Sequence, residues 1–174
     1  MSTATIVFLA VRALHVLLAA TWLGTTAFIY LFLSPALDEI GPAGGRLIDS
    51  LGRRGIHIFM SSVGGLVVVT GLWLYWRFTG GFDPAASGTM GARVFGAGGA
   101  AGILSLIIGG AVVGRTSKKM TDLAAKANAA SEEPERAALM AQVASAKRRL
   151  PFWGKVVLAL QVIALLCMAV GHYF

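Results

Sequence analysis

Four apolar runs dominate this chain of 174 residues and leave it few folds to choose from. The runs, at 8–34, 56–78, 93–114 and 152–173, each contain the about 20 residues that a helix needs to cross a hydrocarbon core of roughly 30 Å. A helix is the economical solution there, because it satisfies its own backbone hydrogen bonds where no water can. Composition agrees: 56% of the residues are hydrophobic and 13% charged, and the mean hydropathy is +0.74. Soluble domains carry about 25% charged residues. The expectation is an all-α integral membrane protein, one domain over 1–174, built as a four-transmembrane-helix antiparallel bundle.

The segment Met1-Ser2-Thr3-Ala4-Thr5 lacks the basic region and cleavage site of a secretory signal, so the first run is expected to stay attached. Basic residues set the orientation. Arg46, Arg53 and Arg54 follow the first run, and Arg115, Lys118, Lys119, Lys126, Arg136, Lys147, Arg148, Arg149 and Lys155 follow the third. With four spans these segments share one side, which reads as cytoplasmic; both termini then lie outside, as in a bacterial inner-membrane protein. The net charge of +7 and the pI near 10.2 follow from that topology and from attraction to anionic lipid. The partner implied is the lipid bilayer, with no nucleic acid. Cys167 is the only cysteine, which excludes an internal disulfide and a thiolate zinc cluster.

Pro35, Gly41, Pro42, Gly44 and Gly45 predict that the first helix ends near Ser34 and restarts around Arg46, with Leu47, Ile48 and Leu51 forming a short interfacial turn. The connection from Thr79 to Ala92 is a short outer loop beside Trp73, Tyr75 and Trp76. By contrast 115–151 is rich in Ala, Lys and Glu and predicts a cytoplasmic helical hairpin. In it the third helix continues to about Asn128, and a further helix starts at an N-cap Ser131 and breaks at Pro151. Small residues mark packing faces. Gly98, Gly102, Ser105 and Gly109 form one stripe on the third helix, and Ser61, Gly64, Gly65, Val68 and Gly71 form another on the second. Gly98, Gly102 and Gly109 are candidates for self-association or for contact with other membrane subunits.

No acidic residue falls inside a span, which argues against a carboxylate proton relay. A phosphate-binding glycine loop and a nucleophile with its base are also missing, so nothing points to enzyme chemistry. The ionisable residues that remain in or beside the spans converge on His15. Arg12, His15, Ala19, Trp22 and Thr26 fall on one helical stripe. Counting from the inner ends of their spans, His15 lies about 30 Å and His172 about 25 Å across at 1.5 Å per residue, close to the same depth. Two histidines so placed are what a bundle needs to clamp a b-type haem, serving in electron transfer or as part of a redox complex. Arg12, Arg93 or Arg77 would neutralise the propionates and Trp22 would stack near the ring edge. Copper is the alternative ligand, through Met168, Cys167 and His172. A third possibility is a non-catalytic structural subunit that packs through its glycine faces. His57, beside Arg53 and Arg54, reads as an interfacial histidine.

The phrase Arg12-Ala13-Leu14-His15 with Trp22-Leu23-Gly24, then Gly52-Arg53-Arg54 leading to Val69-Thr70-Gly71-Leu72-Trp73, resembles a superfamily of small bacterial membrane proteins. That superfamily includes copper-resistance protein D and the HemJ-type protoporphyrinogen oxidase. The resemblance covers the first two helices, and the last two in outline. It implies a haem ligand at His15, or membrane copper handling. The oxidase also requires a lysine at the start of the third helix, where this chain has Arg93, and an arginine late in the first, near Leu31. Arg93 stays protonated and is no ordinary axial ligand.

Overall fold

The computed structural model describes residues 2–174, most of which are helical, with no strand among them. Helix α1 spans Thr3–Phe28, followed by a π-helical segment Ile29–Leu33, α2 at Ser34–Glu39, α3 at Pro42–Arg53 and α4 at Ile56–Phe78. A one-turn helix α5, Pro84–Ser87, leads to α6, Met90–Ile108; a second π-helical segment, Gly109–Gly114, joins it to α7, Arg115–Ala129. The last helix, α8, runs from Glu133 to Val170 and ends in a 3₁₀ turn, Gly171–Tyr173. Four continuous stretches are long and apolar enough to cross a membrane: Thr3–Glu39, Ile56–Phe78, Met90–Ala129 and Glu133–Tyr173. This is the pattern of a multi-pass membrane protein, and its many exposed leucine, isoleucine, valine and phenylalanine side chains suit a lipid surround.

Both prolines expected to break helices are instead carried within them. Pro35 lacks an N–H and its ring would collide with the carbonyl of Leu31 in a regular helix. The π-helical segment just before it widens the coil, and Ser34 N–H reaches back five residues to the Ile29 carbonyl. The chain therefore stays helical to Glu39 and turns only at Gly41, whose φ of 58° few other residues adopt. Helix α3 then starts at Pro42, four residues before the expected restart. Pro151 lies inside α8 without ending it. The carbonyl it leaves unbonded belongs to Lys147, an exposed residue within reach of water. Ser131 is not the cap of that helix; the position falls to Glu132, with no side-chain cap bond.

Helix α1 packs along α4, α4 on α6, and α6 on α8, while α7 packs on α8. Aromatic and glycine contacts fix their register. The Phe8 and Trp73 rings lie 6.4 Å apart, and the indole of Trp22 is seated on Gly64, with Leu106 of α6 beside it. Phe78 meets Phe95 edge-on at 5.1 Å, and Phe95 covers Gly171. At the opposite end Tyr30 lies directly against Gly154, where a Cβ would enter the ring. Trp22, Val63 and Val67 are the buried centre, with Leu18, Ala19, Met60 and Leu106 around them.

The glycine stripe of the third span is divided between two surroundings. Gly98 is pressed against Cys167 and Met168 of α8, and Ser105 donates to the Val157 carbonyl, whereas a Cβ at Gly102 or Gly109 would meet nothing within 4 Å. On α4, Gly64 and Gly71 are used in packing and Gly65 is open.

Candidate functional site

His15 sits half-buried on α1 against α4, its ring lying over Gly71. Only a glycine leaves that room: a Cβ at position 71 would come within 2.9 Å of the imidazole Cε1. The ring is also held by a hydrogen bond, with Nδ1 2.9 Å from the Thr70 hydroxyl. Helix packing thus provides both the slot and the anchor.

The direction of that bond depends on the tautomer of His15. Thr70 has one hydroxyl hydrogen, and its oxygen lies 2.6 Å from the Leu66 carbonyl and 3.1 Å from that of Val67 on its own helix. With the hydrogen on those carbonyls, Oγ1 accepts from Nδ1–H of His15. In that tautomer the neutral imidazole carries its lone pair on Nε2, the nitrogen that could bind a metal. A histidine whose other nitrogen donates to a fixed acceptor is oriented in the manner of a metal ligand.

The remaining candidate residues are distributed differently from the sequence expectation. Contacts at Trp22–Gly64–Leu106 and His15–Gly71 run in step, seven residues apart on both α1 and α4, which puts His15 level with the Gly98 region of α6. Across from Gly98 stands Met168, so Met168 shares the depth of His15. His172 lies four residues further along, about 6 Å nearer the terminal end. It is exposed and stacked on Tyr173 with ring centroids 4.1 Å apart. Its turn packs on α6 through Gly171 and Phe95, while His15 packs on α4. Among the described residues no hydrogen bond or ring contact joins the two histidines.

Trp22, expected beside a cofactor ring, is only 7% exposed and its indole is enclosed by protein. Arg12, Arg77 and Arg93 are all exposed, Arg12 one turn from His15 on the same helix. Met168 directs its terminal methyl into the notch at Gly98, 3.2 Å from where a Cβ would be, so its thioether is engaged in packing. Among the described residues no group of three or more His, Cys, Asp or Glu side chains is placed to hold a metal ion. His57 is exposed near the start of α4.

Two surface clefts lie elsewhere. One, of about 200 Å³, is bordered by Trp76, Arg77, Gly80 and Gly81; the other, between α7 and α8, by Lys126, Ser131, Glu132 and Glu135 among others.

His15 is held as a single oriented imidazole between α1 and α4, and His172 stands on the α6 side of the bundle. Sequence reasoning missed Thr70 as the anchor of His15. The available signal was a hydroxyl residue directly beside Gly71 on a packing face, but which α4 residue faces His15 depends on the register between helices. No family model, curated protein or solved structure matches the chain.

Proposed function

We propose that this is a small membrane haem protein in which His15 is the axial ligand from this chain, serving as an electron-transfer component or as the haem-bearing subunit of a redox complex. The observation that carries the reading is the Leu66–Thr70–His15 hydrogen-bond chain, which in the Nδ1–H tautomer leaves the imidazole lone pair on Nε2. Haem bound there would supply a one-electron ferric–ferrous couple. Arg12, one turn away and exposed, is the cation best placed on the same helix to neutralise a carboxylate of such a group. His172 is left out of the ligand set.

The topology belongs to the same proposal: an antiparallel four-span bundle with α7 and the start of α8 as a cytoplasmic hairpin, and both termini outside a bacterial inner membrane. The paired contacts along α1 and α4 support the bundle. The clustering of basic residues on α3, α7 and α8 supports the orientation. His15 then lies in the outer leaflet.

The test is haem content of protein purified from haem-replete cells. Wild type and His172→Ala are expected to carry haem and His15→Ala to lack it. A haem-free wild type, or His15→Ala with full occupancy, would overturn the reading.

A second reading, association with another copy or another subunit, is favoured by the open small-residue face at Gly102 and Gly109. Gly98 is engaged within the chain and drops out of that surface. Replacing Gly102 and Gly109 by leucine is expected to reduce the particle mass in mild detergent; an unchanged mass would exclude this contact.

A further inference from the structure

Gln161 is only 4% exposed, and neither Oε1 nor Nε2 of its carboxamide has a hydrogen-bond partner among the described residues. A carboxamide brings two donor hydrogens and an oxygen with two lone pairs. Burying them unpaired is costly anywhere in a protein, and more so in a segment surrounded by hydrocarbon. Something must satisfy this group.

The surroundings define what that can be. Ser105 of α6 is fully buried and donates to the Val157 carbonyl over a long 3.4 Å. That carbonyl lies one helical turn before Gln161, and long side chains on helices lean towards the preceding turn, so the carboxamide extends back over Val157 towards Ser105.

The Ser105 hydroxyl hydrogen is spent on a backbone carbonyl. Ser105 can therefore still accept, but it does not donate to Oε1. A cation would find one carboxamide oxygen and no carboxylate; an anion would find no positive charge. The partner must be neutral and must both donate and accept. It must also be small, because Ser105, Val157 and Ala101 around it are themselves buried.

We propose that Gln161 holds water within the membrane-spanning bundle. The water accepts from Nε2 and donates to Oε1 or to Ser105 Oγ, forming a polar site between α6 and α8. Buried waters typically make about three such bonds.

The experiment is NMR on ¹⁵N-glutamine-labelled protein in nanodiscs, with the Gln161 side-chain signal assigned by its loss in Gln161→Leu, or in Gln161→Met if the leucine variant fails to fold. Cross-peaks from the Nε2 hydrogens to water are expected. Side-chain hydrogens that show no water cross-peak and bond directly to a protein oxygen would overturn the proposal. Thermal melting is the second readout. A dry, unpaired carboxamide would make Gln161→Leu more stable than wild type, so a raised Tm overturns the proposal and an unchanged or lowered Tm supports it.

Discussion

His15 Nδ1 lies 2.9 Å from Thr70 Oγ1, and the Thr70 hydroxyl in turn lies 2.6 Å from the Leu66 carbonyl. The threonine anchors the imidazole against α4. Replacing it by valine keeps the shape and removes the acceptor. Outer partners of this kind are worth about 10–100-fold in ligand affinity. Thr70→Val is therefore expected to bind haem that much more weakly in a titration of the apo-protein, while His15 stays in place. Unchanged affinity would mean that the threonine does not orient the ligand.

Trp22 gives a contrasting expectation. Its indole fills the space over Gly64 within the core, so Trp22→Ala is expected to lose about 3–5 kcal/mol of stability. The visible spectrum per folded chain should stay the same. A spectral change at unchanged stability would return Trp22 to the cofactor.

The fold was largely legible in the sequence because hydropathy and helix length are local properties. Four spans, and the long α7 and α8 extensions, follow from counting residues. What escaped were features that depend on neighbours. Pro35 and Pro151 read as breaks, yet the π-helical segment before one and the exposed backbone around the other accommodate them. Trp22 and His15 lie on one stripe, but a tryptophan facing glycine across α1 and α4 becomes core, while a histidine facing glycine and threonine keeps one nitrogen free. The near match in depth between His15 and His172 was legible to about one turn; the neighbours against which each packs were not.

Gly154 is where α8 meets the ring of Tyr30. An added methyl overfills that contact, and Gly154→Ala is expected to destabilise the protein by about 1–3 kcal/mol in thermal or denaturant unfolding. Tyr30→Ala in the same background should recover part of the loss, because the two sites share one contact. Additive losses would show that they do not.

Lys147 and Asp38 approach within 2.6 Å, but both side chains are more than half exposed, at 57% and 54%. Solvent screening limits such a pair to about 0–1 kcal/mol. Lys147→Ala is expected to leave the melting temperature nearly unchanged at high and low salt. A large salt-dependent loss would mean that the pair clamps α2 to α8.

The claim that His15 is the haem ligand supplied by this chain is tested most directly by the visible spectrum of the reduced, purified protein before and after addition of carbon monoxide. A Soret band that shifts with carbon monoxide in wild type and in His172→Ala, and is missing from His15→Ala, is the expected result. A six-coordinate spectrum indifferent to carbon monoxide that is lost in His172→Ala, or a haem spectrum retained by His15→Ala, would contradict it.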